Sequence, residues 1–202
     1  MDFLQILQII LILFPSIILH ECAHGWMAFL LGDSTAKQAG RLTLNPFKHI
    51  DPVGTVILPL LLYFSKAGIL FGWAKPVPVN FMNLRSPRRD MMLVAGIGPL
   101  VNFVLAFLFS LVFKINQNFE LNELLKFADS LNLLLAIFNL IPIPPLDGSR
   151  LVMGILPKPL ADWYGSLESY GIFIVMALMY FGLLNELIYP WVVRCAYWLG
   201  VR

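Results

Sequence analysis

Charge is scarce in this sequence. Lys, Arg, Asp and Glu make up only 13% of the 202 residues, whereas apolar residues make up 59%. A soluble domain contains about a quarter charged and about half apolar residues, so this composition predicts a membrane protein. The net charge of +2 is also too small to indicate a nucleic-acid-binding protein.

Cysteines, internal repeats and long polar segments are also rare or missing. The two cysteines, Cys22 and Cys195, lie far apart in or near apolar segments, and we interpret both as free thiols. The sequence shows no internal repeat, which disfavours a transporter built from repeated halves. No polar stretch is long enough to form an inserted soluble domain.

What the sequence does contain is apolar stretches, and a helix needs about 20 residues to cross the bilayer core. Five of them run from Phe3 to Leu31, Val53 to Trp73, Met91 to Phe113, Leu131 to Leu156 and Ser169 to Leu187. The predicted fold class is all-α: a polytopic membrane helix bundle with four to six membrane segments and a short re-entrant or β-like loop after the first helix. The first stretch lacks the basic flank of a cleavable signal peptide, so we expect it to remain as a membrane helix.

The first apolar stretch contains a polar motif, His20-Glu21-Cys22-Ala23-His24. His20 and His24 lie one turn apart on one helix face, a spacing that suits two ligands of one Zn²⁺. Glu21 is placed to act as the general base for an attacking water molecule. Ionisable groups in an apolar helix are costly unless compensated, so they indicate a functional site. The alternative is a pair of interfacial histidines with a snorkelling glutamate.

A catalytic zinc needs three protein ligands, and Asp147 is the best candidate for the third. It follows Pro142, Pro144 and Pro145, which break the helix and free backbone carbonyls. Only a buried or wet site tolerates such backbone at membrane depth. The alternative is that Asp147 only caps the helix that follows.

Two asparagines, Asn102 and Asn139, also lie inside apolar runs. Each could bind substrate or donate a hydrogen bond to a developing oxyanion. Each could equally form a hydrogen bond across a helix interface, and both interpretations stay open. Two further segments, Arg41 to Pro46 and Lys75 to Asn80, are predicted to be extended and could border a cleft.

The depths of His20 and Asp147 constrain the topology. At 1.5 Å per residue, they lie about 26 Å and about 24 Å into their apolar stretches. The two meet only if both stretches run in the same direction, which requires an odd number of crossings between them. The stretch from Val53 to Trp73 should therefore enter and leave by the same face. Most basic residues then share one side, which the positive-inside rule assigns to the cytoplasm, so we expect the site toward the cytoplasmic side.

These motifs together resemble the site-2 protease family of intramembrane zinc metalloproteases. The resemblance rests on the HECAH motif in an early membrane helix, on Gly98-Pro99-Leu100-Val101-Asn102 and on the run from Asn139 to Gly148. That run is similar to the family's N-x-x-P-x-P-x-x-D-G form, and the match covers about residues 16–156. We expect neither the PDZ domain nor the CBS domains of larger members, and the sequence resembles the short bacterial type.

The resemblance implies a zinc metalloendopeptidase that cleaves peptide bonds in or near transmembrane segments, as in regulated intramembrane proteolysis. It implies one Zn²⁺ per chain held by His20, His24 and Asp147, with Glu21 as the base and Asn102 and Asn139 near the substrate. The expected partners are transmembrane protein substrates, the lipid bilayer and an upstream site-1-type protease, with no nucleic acid. We expect a multi-pass protein of a bacterial cell membrane.

A single domain is predicted over residues 1–202, with a catalytic core over about 3–156 and C-terminal helices over about 166–202. The oligomeric state is not indicated by the sequence. The alternative function is a non-catalytic zinc-binding membrane protein that binds transmembrane helices.

Overall fold

The computed structural model describes residues 3–65 and 72–201, and it contains helices but no β-strand within those ranges. The predicted all-α class is therefore confirmed. The helices are α1 (Phe3–Leu30), α2 (Thr35–Gln38), α3 (Leu58–Phe64), α4 (Pro87–Ile115), α5 (Phe119–Asn139), α6 (Asp147–Ile155), α7 (Lys158–Ser166), α8 (Glu168–Tyr180) and α9 (Leu183–Leu199). Short 3₁₀ helices lie at Pro46–Lys48 and Phe81–Asn83, and a π-helical segment at Pro52–Ile57.

Helix α4 lies at the centre of the bundle, where it packs against α1, α5 and α6. Small and polar residues form a buried stripe along it: Ala95, Gly98, Asn102, Ala106 and Ser110. Their spacing of three or four residues places them on neighbouring positions of one helix face. Small residues let helices approach closely in an apolar environment, so α1 and α5 both come near the polar positions of α4.

The predicted stretch from Leu131 to Leu156 is divided into two helices. Helix α5 ends at Asn139, and α6 begins only at Asp147. The intervening segment contains prolines, which lack the N–H that a continuing helix would need. As a result, Asp147 lies in the first turn of a new helix instead of in the middle of a long one.

The second apolar stretch returns to the point from which it departs. It begins with the π-helical segment Pro52–Ile57, continues as α3, and includes residues 66–71, which lie outside the described ranges. The Trp73 N–H donates to the Gly54 carbonyl at 3.1 Å, and the Thr55 hydroxyl donates to the Trp73 carbonyl at 2.9 Å. Hydrogen bonds between its two ends place them on the same side, which supports the predicted return by one face.

Two helices among the described residues are long and apolar enough to cross a bilayer by themselves, α1 over Gln8–Leu30 and α4. Helices α8 and α9 reach that length only as a pair bent by 77°. If this pair counts as one span, the described residues contain three candidate membrane spans. The first half of α5 carries four charged residues, Glu120, Glu123, Lys126 and Asp129. Four to six membrane segments were predicted, and those beyond α1 and α4 are therefore shorter, bent or charged helices.

No strand forms at residues 41–46 within the described ranges, so the predicted β-like loop after α1 is an irregular loop.

Asp33 stabilises the chain where it leaves α1. Its buried carboxylate accepts hydrogen bonds from the hydroxyl and N–H of Thr35, from Asn83 Nδ2 and from the Asn80 N–H. Burial by itself raises the pKa of a carboxyl, but these hydrogen bonds, led by the Thr35 hydroxyl, lower the pKa of Asp33 below its usual value.

We expect Asp33→Asn to lower the free energy of unfolding at pH 7 by about 1–3 kcal/mol, because a charged acceptor is replaced by a neutral amide. The folded-state pKa is depressed, so this stabilisation is fully present above the unfolded-state pKa of about 4. It is lost as the pH falls through the folded-state pKa. The difference in thermal unfolding midpoint between wild type and variant should therefore shrink between pH 7 and pH 3.

The matched control is Asp162→Asn, which removes an exposed carboxylate from α7. The thermal unfolding midpoint of Asp162→Asn should differ little from that of wild type at both pH values. An Asp33→Asn difference that is the same at pH 7 and pH 3 would contradict the role of the ionised carboxylate.

Candidate metal centre

The two histidines of the HECAH motif face each other from successive turns of α1. Their Nε2 atoms are 3.0 Å apart, and the rings meet edge to face with centroids 4.7 Å apart. His20 and His24 are only 5% and 9% exposed. This position inside the bundle excludes the alternative of two interfacial histidines in contact with water.

Asp147 completes a group of three side chains. Its Oδ2 atom lies 3.1 Å from Nε2 of His20 and 3.3 Å from Nε2 of His24. The loop before α6 folds back so closely that a Cβ on Gly148 would collide with the Leu140 carbonyl, so glycine is required there. Among the described residues, this is the one group of three His, Cys, Asp or Glu side chains whose donor atoms converge.

The hydrogen bonds of the two rings determine which nitrogen atoms are free. Nδ1 of His20 lies 2.6 Å from Oδ1 of Asn102, and Nδ1 of His24 lies 2.6 Å from the Val94 carbonyl. Both oxygens can only accept, so each Nδ1 carries the proton. A neutral imidazole protonated at Nδ1 has its lone pair on Nε2, and both Nε2 atoms lie within 3.3 Å of Oδ2 of Asp147.

This donor set fits a zinc ion. Two imidazole lone pairs and a carboxylate oxygen at mutual distances of 3.0, 3.1 and 3.3 Å repel one another without a cation between them. Tetrahedral Zn²⁺ with bonds of about 2.0–2.1 Å to N and O would separate its ligand atoms by about 3.3 Å. The three atoms therefore match one triangular face of such a site and leave a fourth position for water or substrate.

Glu21 follows His20 in α1, and its carboxylate is held by the extended segment of residues 75–80. Its Oε2 accepts a hydrogen bond from the Val77 N–H at 2.8 Å. The segment is fastened at both ends: the Lys75 N–H donates to the His49 carbonyl at 2.9 Å, and the Asn80 N–H donates to Asp33 at 2.7 Å. The predicted extended segment thus closes over α1 at the turn that carries Glu21.

The two asparagines predicted near the substrate occupy different positions. Asn102 is fully buried, and its Oδ1 is used by His20. Asn139 is only partly buried, and its Nδ2 donates to the Leu135 carbonyl of its own helix at 2.9 Å. The structure brings Asn102, but not Asn139, into hydrogen-bond contact with the three-residue group.

Cys22 lies within the motif but points away from the centre. Its buried thiol donates to the Thr43 carbonyl at 3.2 Å, and both cysteines are free thiols, as predicted. The same carbonyl lies 2.8 Å from Nε2 of His49, a fully buried ring in the loop after α1.

Gly98 makes room for the histidines, a role that the sequence did not reveal. A Cβ at this position would collide with Nε2 of His24 and lie 2.7 Å from Cε1 of His20. Asn132 was also missed, although it lies in an apolar run just as Asn139 does. The signal was the same for both residues, and only the helix register decides which one faces the centre.

Comparison with known proteins finds one peptidase family and several relatives described as zinc metalloproteases. The model of peptidase family M50 matches residues 112–181. “Putative zinc metalloprotease YwhC” of Bacillus subtilis is 36% identical over 192 residues, covering 90% of this chain and 84% of that protein. Rip2 of Mycolicibacterium smegmatis, which carries the same description, is 29% identical over 187 residues, covering 91% and 69%. Zinc metalloprotease MJ0392 of Methanocaldococcus jannaschii is 28% identical over 185 residues, covering 87% and 42%. No solved structure matches the chain significantly.

We expect Gly98→Ala to weaken zinc binding by at least about tenfold, because the added methyl group must displace one or both imidazoles. The matched control is Gly96→Ala on the same helix, where a Cβ would meet only Leu151 Cδ2 at an ordinary 3.8 Å. Both changes introduce the same residue into α4, so only the contact differs. Zinc titration of the detergent-purified chains checks this, and equal affinities for the two variants would contradict it.

Proposed function

Because the chain belongs to peptidase family M50, the site-2 protease family of zinc metalloproteases, we propose that it hydrolyses peptide bonds in or near transmembrane segments of membrane proteins. The observation that carries this proposal is the location of the motif. His20, Glu21 and His24 lie inside α1, one of the two helices that are long and apolar enough to cross a bilayer. A peptide bond that reaches these residues must itself enter the apolar layer.

The proposed ligands are His20, His24 and Asp147, and they would hold a zinc ion whose chemistry, when bound, would be to acidify water and polarise the scissile carbonyl. The two Nδ1 atoms donate hydrogen bonds to Asn102 Oδ1 and to the Val94 carbonyl, and these bonds keep both imidazoles in the orientation that such a site needs. Asp147 lies in the first turn of α6, where the helix dipole favours its negative charge.

Glu21 is the proposed general base. The Val77 N–H occupies Oε2 and leaves Oε1 to accept a proton from the attacking water. The same carboxyl can then deliver that proton to the leaving amine. Holding one oxygen restricts rotation of the carboxylate, so the proton acceptor is oriented before substrate arrives.

We propose that water and substrate approach from the side of Asp147. Its side chain is 19% exposed, against 7% for His20 and 11% for His24. A substrate helix must unwind locally there, because its peptide bonds are otherwise used in its own hydrogen bonds. Asn139 ends α5 just before this loop, so a role in substrate binding remains part of the proposal.

The second candidate function is a non-catalytic zinc-binding membrane protein that binds transmembrane helices. It would need the three ligands but not the carboxylate of Glu21, whose Oε2 is held in place by the Val77 N–H. Structural zinc sites take four protein ligands, and three converge among the described residues. Both observations favour the protease.

The proposed setting is a bacterial cell membrane, with the centre toward the cytoplasmic side. The support for this orientation is the charge distribution derived from the sequence, in which most Lys and Arg residues share one side. An upstream site-1-type protease that shortens the substrate first remains a further expectation.

We expect purified wild-type protein to contain about one zinc per chain, because three donors and an open position suit catalytic zinc. His20→Ala and Asp147→Ala should each lose it, and the control Asp162→Asn, which removes an exposed carboxylate, should retain it. Elemental analysis of the detergent-purified chain measures this. Zinc retained in Asp147→Ala would place the third ligand elsewhere.

We expect Glu21→Gln to retain zinc but to cut substrate at a rate lower by about 10²–10⁴, because the proton acceptor is lost. Wild type and variant can be co-expressed in a bacterial host with a panel of single-span membrane proteins tagged at both ends. Fragments cut within the span should appear only with wild type, and a membrane-permeant zinc chelator should abolish them.

Equal fragments with wild type and Glu21→Gln would exclude Glu21 as the base. Zinc-dependent cleavage confined to an unfolded soluble protein such as casein would contradict the intramembrane substrate class. A panel that stays uncut while the wild type retains zinc and binds the intact spans would favour the non-catalytic alternative.

A further inference from the structure

A second buried asparagine, Asn132 on α5, is connected to the metal centre through Asn102. Asn132 is fully buried, and its Oδ1 accepts a hydrogen bond from Nδ2 of Asn102 at 3.0 Å. Its own Nδ2 donates to the Ala128 carbonyl, one turn earlier in α5, at 2.9 Å. The contacts therefore run from a backbone carbonyl of α5, through two amides, to the ring of His20 on α1.

The hydrogen bond from Asn132 to the Ala128 carbonyl determines which atom donates and which accepts in the two contacts that follow. A backbone carbonyl can only accept, so Nδ2 of Asn132 must face Ala128 and Oδ1 must face Asn102. Asn102 then directs its Nδ2 toward that oxygen and its Oδ1 toward His20. Nδ1 of His20 consequently carries the proton, and Nε2 keeps the lone pair that a metal requires.

Packing alone cannot select this orientation, because the oxygen and the NH₂ group of an amide are nearly the same size. Among the described residues, the second acceptor recorded for Nδ2 of Asn102 is the Ser16 carbonyl at 3.5 Å, which is at the limit of a hydrogen bond. If the Asn102 amide turned over, its NH₂ group would face Nδ1 of His20. The ring would then prefer its proton on Nε2, where it blocks metal binding.

We propose that Asn132 is a positioning residue that sets the orientation of the Asn102 amide and, through it, the tautomer of His20. This inference rests on the ligand set proposed above. His24 needs no such series, because the Val94 carbonyl accepts directly from its Nδ1. The two histidines thus differ in how their tautomers are set, by a backbone atom for His24 and by two side chains for His20.

The test is a double-mutant cycle read out as zinc affinity of the detergent-purified full chain, in competition with a zinc chelator. Asn132→Leu keeps the number and branching of the side-chain heavy atoms but removes the acceptor, and it should weaken zinc binding by about 10–100-fold. Asn102→Asp presents an accepting oxygen to His20 whichever way the carboxylate turns. In that background the Asn132 oxygen has no donor left at position 102, so adding Asn132→Leu should not weaken zinc binding by more than about threefold.

A conservative variant guards against a simple folding defect. Asn132→Asp, in its protonated form, keeps an oxygen facing Nδ2 of Asn102 and a hydroxyl donor facing the Ala128 carbonyl, so its zinc affinity should stay within about fivefold of wild type. The thermal unfolding midpoint of each variant shows that it is folded.

Three results would overturn the proposal: unchanged affinity in Asn132→Leu, equal losses in Asn132→Leu and Asn132→Asp, or the same loss in both Asn102 backgrounds. The last of these is what a purely structural role predicts. Failure of the ligand set is a separate result, because zinc would then be missing from wild type or retained in His20→Ala.

Discussion

The structure depends on one electrostatic constraint, the convergence of three electron-pair donors in a space nearly without water. Two imidazole nitrogens and a carboxylate oxygen lie 3.0–3.3 Å apart in the interior of the bundle. While both rings are neutral and carry their proton on Nδ1, such a group is unfavourable, because like partial charges repel strongly where few water molecules can screen them. A cation changes the sign of the interaction, so the same arrangement that is unfavourable when empty becomes a tight site for zinc.

The helices are arranged to make that convergence possible. Helix α1 supplies two rings one turn apart, the small residues of α4 let those rings fit against it, and the proline-containing break after α5 brings Asp147 to the same depth. The 75–80 segment then closes over Glu21 through a backbone N–H. Each of these arrangements brings a side-chain atom within hydrogen-bond distance of its neighbour, which is the precision that acid–base and metal chemistry require.

Kinship and geometry support the function in different ways. The family match over residues 112–181 contains Asp147 but neither histidine, whereas the similarity to the Bacillus subtilis relative covers 90% of the chain. The structure joins the two parts, because the histidines of α1 and the aspartate of α6 meet at one point. Zinc proteolysis follows from the kinship, and the proposal that substrates are cut within the membrane comes from the burial of that point among apolar helices.

The all-α class and the candidate ligand positions were predictable from the sequence, because composition, an i, i+4 spacing and proline positions act locally. The return of the second stretch was predicted differently, from the condition that His20 and Asp147 meet at one depth. HECAH and Asp147 were recognisable as rare polar groups in apolar runs. The sequence did not distinguish Asn132 from Asn139, or predict that Gly98 faces the imidazoles, because these facts depend on how helices far apart in sequence are rotated against one another. Local pattern thus determined which groups are present, and only tertiary packing decided which of them touch and which nitrogen of His20 is left free.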